Sequence, residues 1–481
     1  MTRMADTRAM SHGFLLNGQW LSEGDALEVR SPFDREPVGA TFRPQTSHIE
    51  AAIQAAAQAF EVTRKLPSCE RQRILRCVAQ GITDRSEDFA RTIALEAGKP
   101  IRTARAEVER AIFTFSIAAE ESTRIYGEWL PLDLQAFAAG RWAIVRRFPL
   151  GPIAAITPFN FPLNLVAHKW APAMAAGCTV VHKPASQTPL SSLLLAELVE
   201  QAGWPAGALN VLPLSSRDAE LLVGDERLKM LSFTGSAAVG WDLKKKAGKK
   251  RVTLELGGNA GVIIHHDADL EYAAERCATG GFSYAGQSCI SVQRIFVYSR
   301  VMESFLAALV PRVQKLKVGD PLDESTDVGP MIGEAEARRA EEWINEARAA
   351  GARLLCGGKR NGALLEPSVL TGTRPEQRVN CREVFAPVVT VESYEDFQEA
   401  VRRVNDSPYG LQAGVFTRDA KLLFRAYDEL EVGGVMAGDV PTFRIDHMPY
   451  GGVKDSGLGR EGLRYAVEEM TEQKVLVVNM P

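Results

Sequence analysis

The most constraining feature of this chain is the alternation that runs from Ile153 to Gly258. Short apolar runs at Ile153–Thr157, Thr179–His182, Ala208–Leu212, Lys229–Phe233 and Val252–Leu256 are separated by helical patterns at Leu163–Ala176, Leu190–Gln201, Ala219–Val223 and Val239–Ala247. Continuously apolar strands are buried on both faces, and intervening helices supply the cover, so the pattern predicts parallel βαβ units. A second alternating region follows Gly258, with strand patterns at Gly261–Ile264, Val292–Tyr298, Val388–Glu392, Ala413–Phe416 and Val432–Met436. The expectation is an α/β chain of two doubly wound parallel-sheet domains. With 481 residues the length suits two or three domains.

The flanks of this body read differently. Phe14–Leu21 is a short β-like opening, and Ser47 with Glu50 has capping-box spacing before the Ala-rich run Ala51–Phe60. Helical patterns follow at Ser68–Thr83, Ser86–Ala97 and Arg102–Ile125. Trp142–Phe148 has strand composition after a turn at Gly140, and Lys474–Val478 is an apolar strand-like end.

Composition excludes several classes. A net charge of −4, with basic residues clustered only at Lys244–Lys246 and Lys249–Arg251, argues against a nucleic-acid surface. Seven scattered cysteines without C-x-x-C spacing give neither a disulfide framework nor a zinc ribbon, so free thiols and no metal are expected. The uncharged run Phe148–Ala167 is interrupted by Pro149, Pro152, Pro158 and Pro162, which a lipid-exposed helix tolerates poorly. Met1–Gly13 is polar and lacks the apolar core of a signal peptide, so a soluble, cytoplasmic protein is expected.

In parallel sheets, ligands bind beyond the carboxyl ends of the strands. Three such ends carry Thr157-Pro158-Phe159-Asn160, Lys183-Pro184-Ala185-Ser186 and Thr234-Gly235-Ser236. A glycine turn opening a helix suits a phosphate, although taken alone a tight strand-to-helix turn explains it better. Glu255 lies in an otherwise apolar strand end, where desolvation can poise a carboxyl as a base, although alone a glutamate at a sheet edge facing water explains it better. Asn160 offers an amide to an oxyanion, and Cys289, in the loop Gly286-Gln287-Ser288-Cys289, offers a nucleophile.

Seven motifs in one order complete the pattern: Pro158-Phe159-Asn160-Phe161-Pro162, Lys183-Pro184-Ala185, Phe233-Thr234-Gly235-Ser236, Glu255-Leu256-Gly257-Gly258-Asn259, Gly286-Gln287-Ser288-Cys289, Glu383-Val384-Phe385-Ala386-Pro387 and the glycine-rich Gly451–Gly462. In these the chain resembles the aldehyde dehydrogenase superfamily over essentially its full length. The resemblance implies a dinucleotide-binding domain at 1–127 and 150–256, and a catalytic domain at 257–447. It also implies an oligomerisation arm and C-terminal strand at 128–149 and 466–481, and hence a homodimer or homotetramer. Cys289 would be the nucleophile, Glu255 the base and Asn160 the oxyanion donor. Thr157, Pro158, Phe159, Lys183, Ser186, Gly235, Ser236, Leu256, Glu383 and Phe385 would hold NAD or NADP.

The implied reaction is oxidation of an aldehyde to its acid through a thiohemiacetal and a thioester on Cys289, hydrolysed by water that Glu255 activates. Relatives that pass the acyl group to coenzyme A lack the glutamate, so its presence favours hydrolysis; a non-catalytic relative would have little reason to keep all three residues. Members preferring NAD often carry Glu where Ser186 stands, which suggests that NADP is accepted. Ser288 replaces an arginine found in relatives acting on phosphonate-bearing aldehydes. Arg110, Arg444 and His447 are candidate substrate contacts, and the expected substrate is a small hydroxylated or anionic aldehyde, such as lactaldehyde, glyceraldehyde 3-phosphate or succinate semialdehyde.

Overall fold

The computed structural model describes residues 10–480. The reading of Met1–Gly13 as a polar opening falls outside them up to residue 9, as does Pro481 of the C-terminal segment.

The alternation from Ile153 to Gly258 forms the centre of an eight-stranded sheet. Its five parallel strands are Arg251–Glu255, Met230–Thr234, Ile153–Ile156, Val180–Lys183 and Leu209–Val211, in that order across the sheet. The β-like opening is the hairpin Phe14–Leu16 and Gln19–Leu21, which pairs antiparallel on the Leu209–Val211 edge. Two strands end one residue later than the apolar runs suggest. Lys183 and Thr234 are therefore the last residues of their strands, and the register sets Ile156 beside Lys183 and Thr234 beside Glu255.

Helices cover both faces, as the fully buried strands require. The helix Asn164–Ala176 is buried along its whole length and packs against Ile101–Glu121. Two buried glutamates hold the ends of such helices. Glu107 accepts from the backbone N–H groups of Leu163 and Asn164, at 3.0 and 3.1 Å. Glu96 accepts in the same way from Leu190 and Ser191, at 2.8 and 3.0 Å. Negative charge at a helix N-terminus satisfies its free donors and complements the dipole.

The expected capping box at Ser47 and Glu50 is not the one formed. The helix runs from Thr46 to Thr63, and the reciprocal bonds join Gln45 and His48. Gln45 follows Pro44 in extended conformation, so the first turn starts before the alanine run and Ser47 is already inside it. The pattern Arg102–Ile125 is likewise the helix Ile101–Glu121.

A second, seven-stranded sheet holds Val388–Tyr394, Val292–Tyr298, Ala260–Ile264, Gln412–Phe416 and Gly434–Ala437 as neighbours, all parallel. The chain passes between the sheets through residues 256–259, so Glu255 ends the last strand of one and Ala260 begins the first strand of the other. A third sheet joins Glu128–Pro131, Arg141–Pro149 and Thr471–Asn479, antiparallel, with Thr471 opposite Pro149 and Asn479 opposite Arg141. No described helix is long and apolar enough to cross a membrane. The run Phe148–Ala167 is a strand end, a proline loop and the start of a helix.

Candidate active site

Cys289 is delivered by a strained turn. After the helix Leu270–Phe282 the chain passes through Tyr284, Ala285 and Gly286 with φ of +49°, +52° and +67°. Left-handed backbone costs a non-glycine residue roughly 1–2 kcal/mol, so two such residues need outside support. Tyr284 donates to the Ala97 carbonyl at 2.9 Å, and the fully buried Gln287 accepts from Ile332 N–H at 2.8 Å. Gly286 admits no side chain, because a Cβ there would lie 2.2 Å from the Ala386 carbonyl oxygen.

The turn opens Cys289 into a cavity of about 490 Å³ that Asn160 and Glu255 also line. The Asn160 amide donates to the Gln287 carbonyl at 3.1 Å, tying the two loops together, while its buried Oδ1 has no partner. Both Glu255 carboxyl oxygens are buried without a hydrogen bond. Burial pushes this carboxyl well above its ordinary range, and the neighbouring Glu461 charge adds to the shift. Burial also pushes the Cys289 thiol up to about 12, against a Tyr450 hydroxyl 2.9 Å from Sγ and the nearby Arg444 cation.

Behind these groups lies a buried ionic cluster. Glu461 accepts from Lys169 at 2.9 Å and from Arg444 at 2.9 Å, and meets His168 Nδ1 at 3.1 Å. His168 Nε2 reaches Asp446 at 2.8 Å, and Arg110 grips Asp446 through Nε and Nη2 at 3.1 and 2.6 Å. Burial alone would raise Asp446 and Glu461, but the cations outweigh it and hold both well below the carboxyl range.

The remaining expected residues separate into two groups. Pro158, Phe159, Gly235, Ser236, Leu256, Glu383 and Phe385 line the cavity, with Phe159 and Phe385 edge to face at 6.0 Å. Glu383 accepts from Gly258 N–H at 2.9 Å and is pushed up to about 7 by burial. Thr157, Lys183 and Ser186 lie further along the strand ends, outside the cavity wall. The Thr157 hydroxyl is committed to His182 at 2.9 Å, and its N–H donates to the Lys183 carbonyl at 3.2 Å.

Lys183 is buried in its strand rather than solvated, and burial lowers it to about 8. Arg110 and Arg444 line the cavity but are ion-paired, and Arg444 is a buried cation, not a surface one. His447 is exposed and outside the cavity wall, its ring edge-on to Phe113 at 5.9 Å. His447 is not brought to the cavity with Arg110 and Arg444, because the loop turns Asp446 inward and His447 outward.

Sequence reading missed Tyr450, Glu461, His168, Lys169 and Asp446. Their signal was present: His168 and Lys169 sit in an otherwise apolar helix, where a buried charge demands a partner.

The groove beside this cavity suits a dinucleotide. Buried Thr234 Oγ1 has no partner, the helix Ala237–Lys246 presents its N-terminus after Ser236 with no side-chain cap, and Lys183 has no ion pair among the described residues. A Cβ on Gly235 would lie 2.6 Å from the Phe233 ring, so this turn stays bare of a side chain.

Comparison with known proteins places these features in a family. The profile of the aldehyde dehydrogenase family matches residues 20–476. The chain is 44% identical to the 3-sulfolactaldehyde dehydrogenase of Priestia aryabhattai, over 98% of this chain and 99% of that protein. It superposes on crystal structures of aldehyde dehydrogenase 21 from Physcomitrella patens in complex with the product succinate (TM-score 0.96, 45% identity, 98% of each chain), and of glyceraldehyde-3-phosphate dehydrogenase from Methanocaldococcus jannaschii complexed with NADP (TM-score 0.92, 40% identity, 96% of this chain and 100% of that one). The chain belongs to the aldehyde dehydrogenase family, and is an oxidoreductase acting on aldehydes.

Proposed function

We propose that this enzyme oxidises a small aldehyde carrying a hydroxyl or an anionic group to its carboxylic acid, with Cys289 as nucleophile, Glu255 as base and Asn160 as oxyanion donor. The observation that carries the proposal is that all three side chains open into one cavity, where Glu255 is buried without a hydrogen-bond partner.

The cofactor is NAD(P). Ser236 and the helix N-terminus behind it would hold the pyrophosphate, Lys183 the adenosine ribose, and Glu383 the second ribose. When bound, the nicotinamide supplies the acceptor for hydride. Ser186 carries no charge to repel a 2′-phosphate, and Arg43 adds a second cation felt at Lys183, which supports use of NADP.

The chain's own residues do the rest. Ionised Cys289 attacks the carbonyl carbon, forming a C–S bond and leaving the pair on oxygen. The Cys289 backbone N–H and the second Asn160 amide hydrogen hold that oxyanion. Glu255 takes a proton from water, which attacks the resulting thioester, releases the acid and restores the thiol. Burial raises the Glu255 carboxyl well above its ordinary range, and the nearby Arg444 and Lys169 cations work in the opposite direction, toward the ionised base.

The Arg110 guanidinium lines the cavity and, beyond its bonds to Asp446, its side chain stays partly exposed, which supports an anionic substrate tail; the relative named for 3-sulfolactaldehyde is consistent with it. A division into a cofactor domain, a catalytic domain and an arm is supported by the eight-stranded sheet, the seven-stranded sheet and the sheet that joins Arg141–Pro149 to Thr471–Asn479, and the arm is proposed to join copies into a homodimer or homotetramer.

Reduction of NAD and NADP followed at 340 nm with a panel of neutral, hydroxylated, carboxylated, sulfonated and phosphorylated aldehydes tests the reading. Arg110→Ala should raise KM for the anionic members only. Equal effects on neutral aldehydes would remove the anion site, and acyl transfer only in the presence of coenzyme A would replace hydrolysis.

A further inference from the structure

Tyr450 is the one hydroxyl among the described residues that touches the sulfur, and nothing in the reaction so far uses it. Its Oη lies 2.9 Å from Cys289 Sγ, its side chain is buried, and the Arg444 guanidinium carbon stacks 3.6 Å from its ring centroid. Its backbone is paired in both directions with Glu461, whose carboxylate binds Lys169 and Arg444. Ile290 and Leu411 close the remaining sides of the ring. The hydroxyl therefore cannot turn away from the sulfur without breaking the stack or the backbone pair.

We propose that Tyr450 is a further catalytic residue, a fixed donor whose hydroxyl holds the Cys289 thiolate and so sets how readily the nucleophile ionises. The inference rests on Cys289 being the nucleophile. In the neutral pair either group can donate; once the thiol has released its proton to water, sulfur accepts only, and the Tyr450 O–H must point at it. A hydrogen bond to a charged acceptor is about twice as strong as a neutral one, so the donor favours the ionised form.

The groups that face the sulfur are Tyr450 and Arg444, which stabilise the thiolate, and Glu383 and Glu255, which oppose it when ionised. Arg444 acts on the same charge from beyond the ring, at a distance where Coulomb attraction persists but no hydrogen bond reaches. Burial works against ionisation, and Tyr450 is the largest single offset. The ring also accounts for the location of Arg444: its cation is held over the π face and against Glu461, not directed at the substrate.

The test is iodoacetamide alkylation of the cofactor-free enzyme from pH 6 to 10, read peptide by peptide by mass spectrometry. In the reaction the thiolate displaces iodide, so the rate reports the ionised fraction. Tyr450→Phe keeps the ring and its stack and removes only the hydroxyl. Alkylation of Cys289 should slow by about tenfold or more near neutral pH, with its midpoint moved upward, while exposed Cys69 and Cys77 react as before.

Buried Cys178 and Cys277 report unfolding, since they become reactive if the variant loses its structure. Replacing Tyr450 with 3-fluorotyrosine, a stronger donor of nearly the same shape, should move the Cys289 midpoint down. Profiles for the phenylalanine or fluorotyrosine variants that superpose on the parent would overturn the proposal. Turnover by Cys289→Ala would instead overturn the nucleophile itself, so the two failures are distinguishable.

Discussion

The cleft and the arm each invert the usual distribution of side chains, in opposite senses. The cleft buries charge: Glu255, Glu461, Lys169 and Asp446 are each 5% exposed or less. The arm exposes apolar surface: Trp129, Leu134, Phe137, Leu476 and Met480 are each more than 60% exposed. Both arrangements cost free energy in an isolated chain, yet the offsets differ. In the cleft Glu461, Lys169 and Asp446 each have an opposite partner inside the chain, and burial raises the Glu255 carboxyl well above its ordinary range. In the arm no such offset lies among the described residues, and exposed apolar side chains of this kind are what the proposed association rests on. The cleft offsets its charge within one chain, whereas the arm is proposed to cover its apolar surface with another copy.

The comparison breaks most sharply at Cys289. Cys289→Ala should lower kcat for every aldehyde by about 10⁴-fold or more while leaving the oligomer intact, by kinetics and by light scattering. Leu476→Asp on the arm should do the reverse. Its side chain is 61% exposed on the C-terminal strand, so the fold should survive while the dissociation constant between copies rises by at least about a hundredfold, measured by sedimentation. A variant that stays associated would assign the apolar strand another role.

A smaller effect is expected at the cofactor end. Ser186→Glu should lower kcat/KM for NADP by at least about tenfold relative to NAD, because a carboxylate there repels a 2′-phosphate. The smallest is a shift in pH. A carboxyl raised by burial is protonated below its raised pKa and cannot take a proton from water. The rate of thioester hydrolysis should therefore rise with pH through a midpoint above the ordinary carboxyl value of 4.5, and Glu255→Gln should abolish that limb.

Sequence pattern revealed the parallel sheets because burial on both faces leaves its mark in every strand. It placed Cys289, Glu255 and Asn160 through strand ends and motif order, since each is a local feature. It did not reveal the pairing of Thr471–Asn479 with Arg141–Pro149, which joins segments more than 300 residues apart. Nor did it reveal that Arg444 would be spent on Tyr450 and Glu461, or that His447 would face outward. Those outcomes depend on which way one loop turns across a cavity, and alternation does not encode that. Lys183 is a further case: a lysine before proline could equally be a solvated loop charge, and one extra residue of strand pairing buries it.

The central claim is that carbon is carried on the Cys289 sulfur and released by Glu255. Mass spectrometry of Glu255→Gln, quenched in acid within seconds of mixing with NADP and an aldehyde substrate, tests it most directly. The account predicts a peptide containing Cys289 heavier by one acyl group, with one equivalent of NADPH formed in a burst and slow turnover after it. An unmodified Cys289 peptide alongside steady turnover, or the acyl group on another residue, would contradict it.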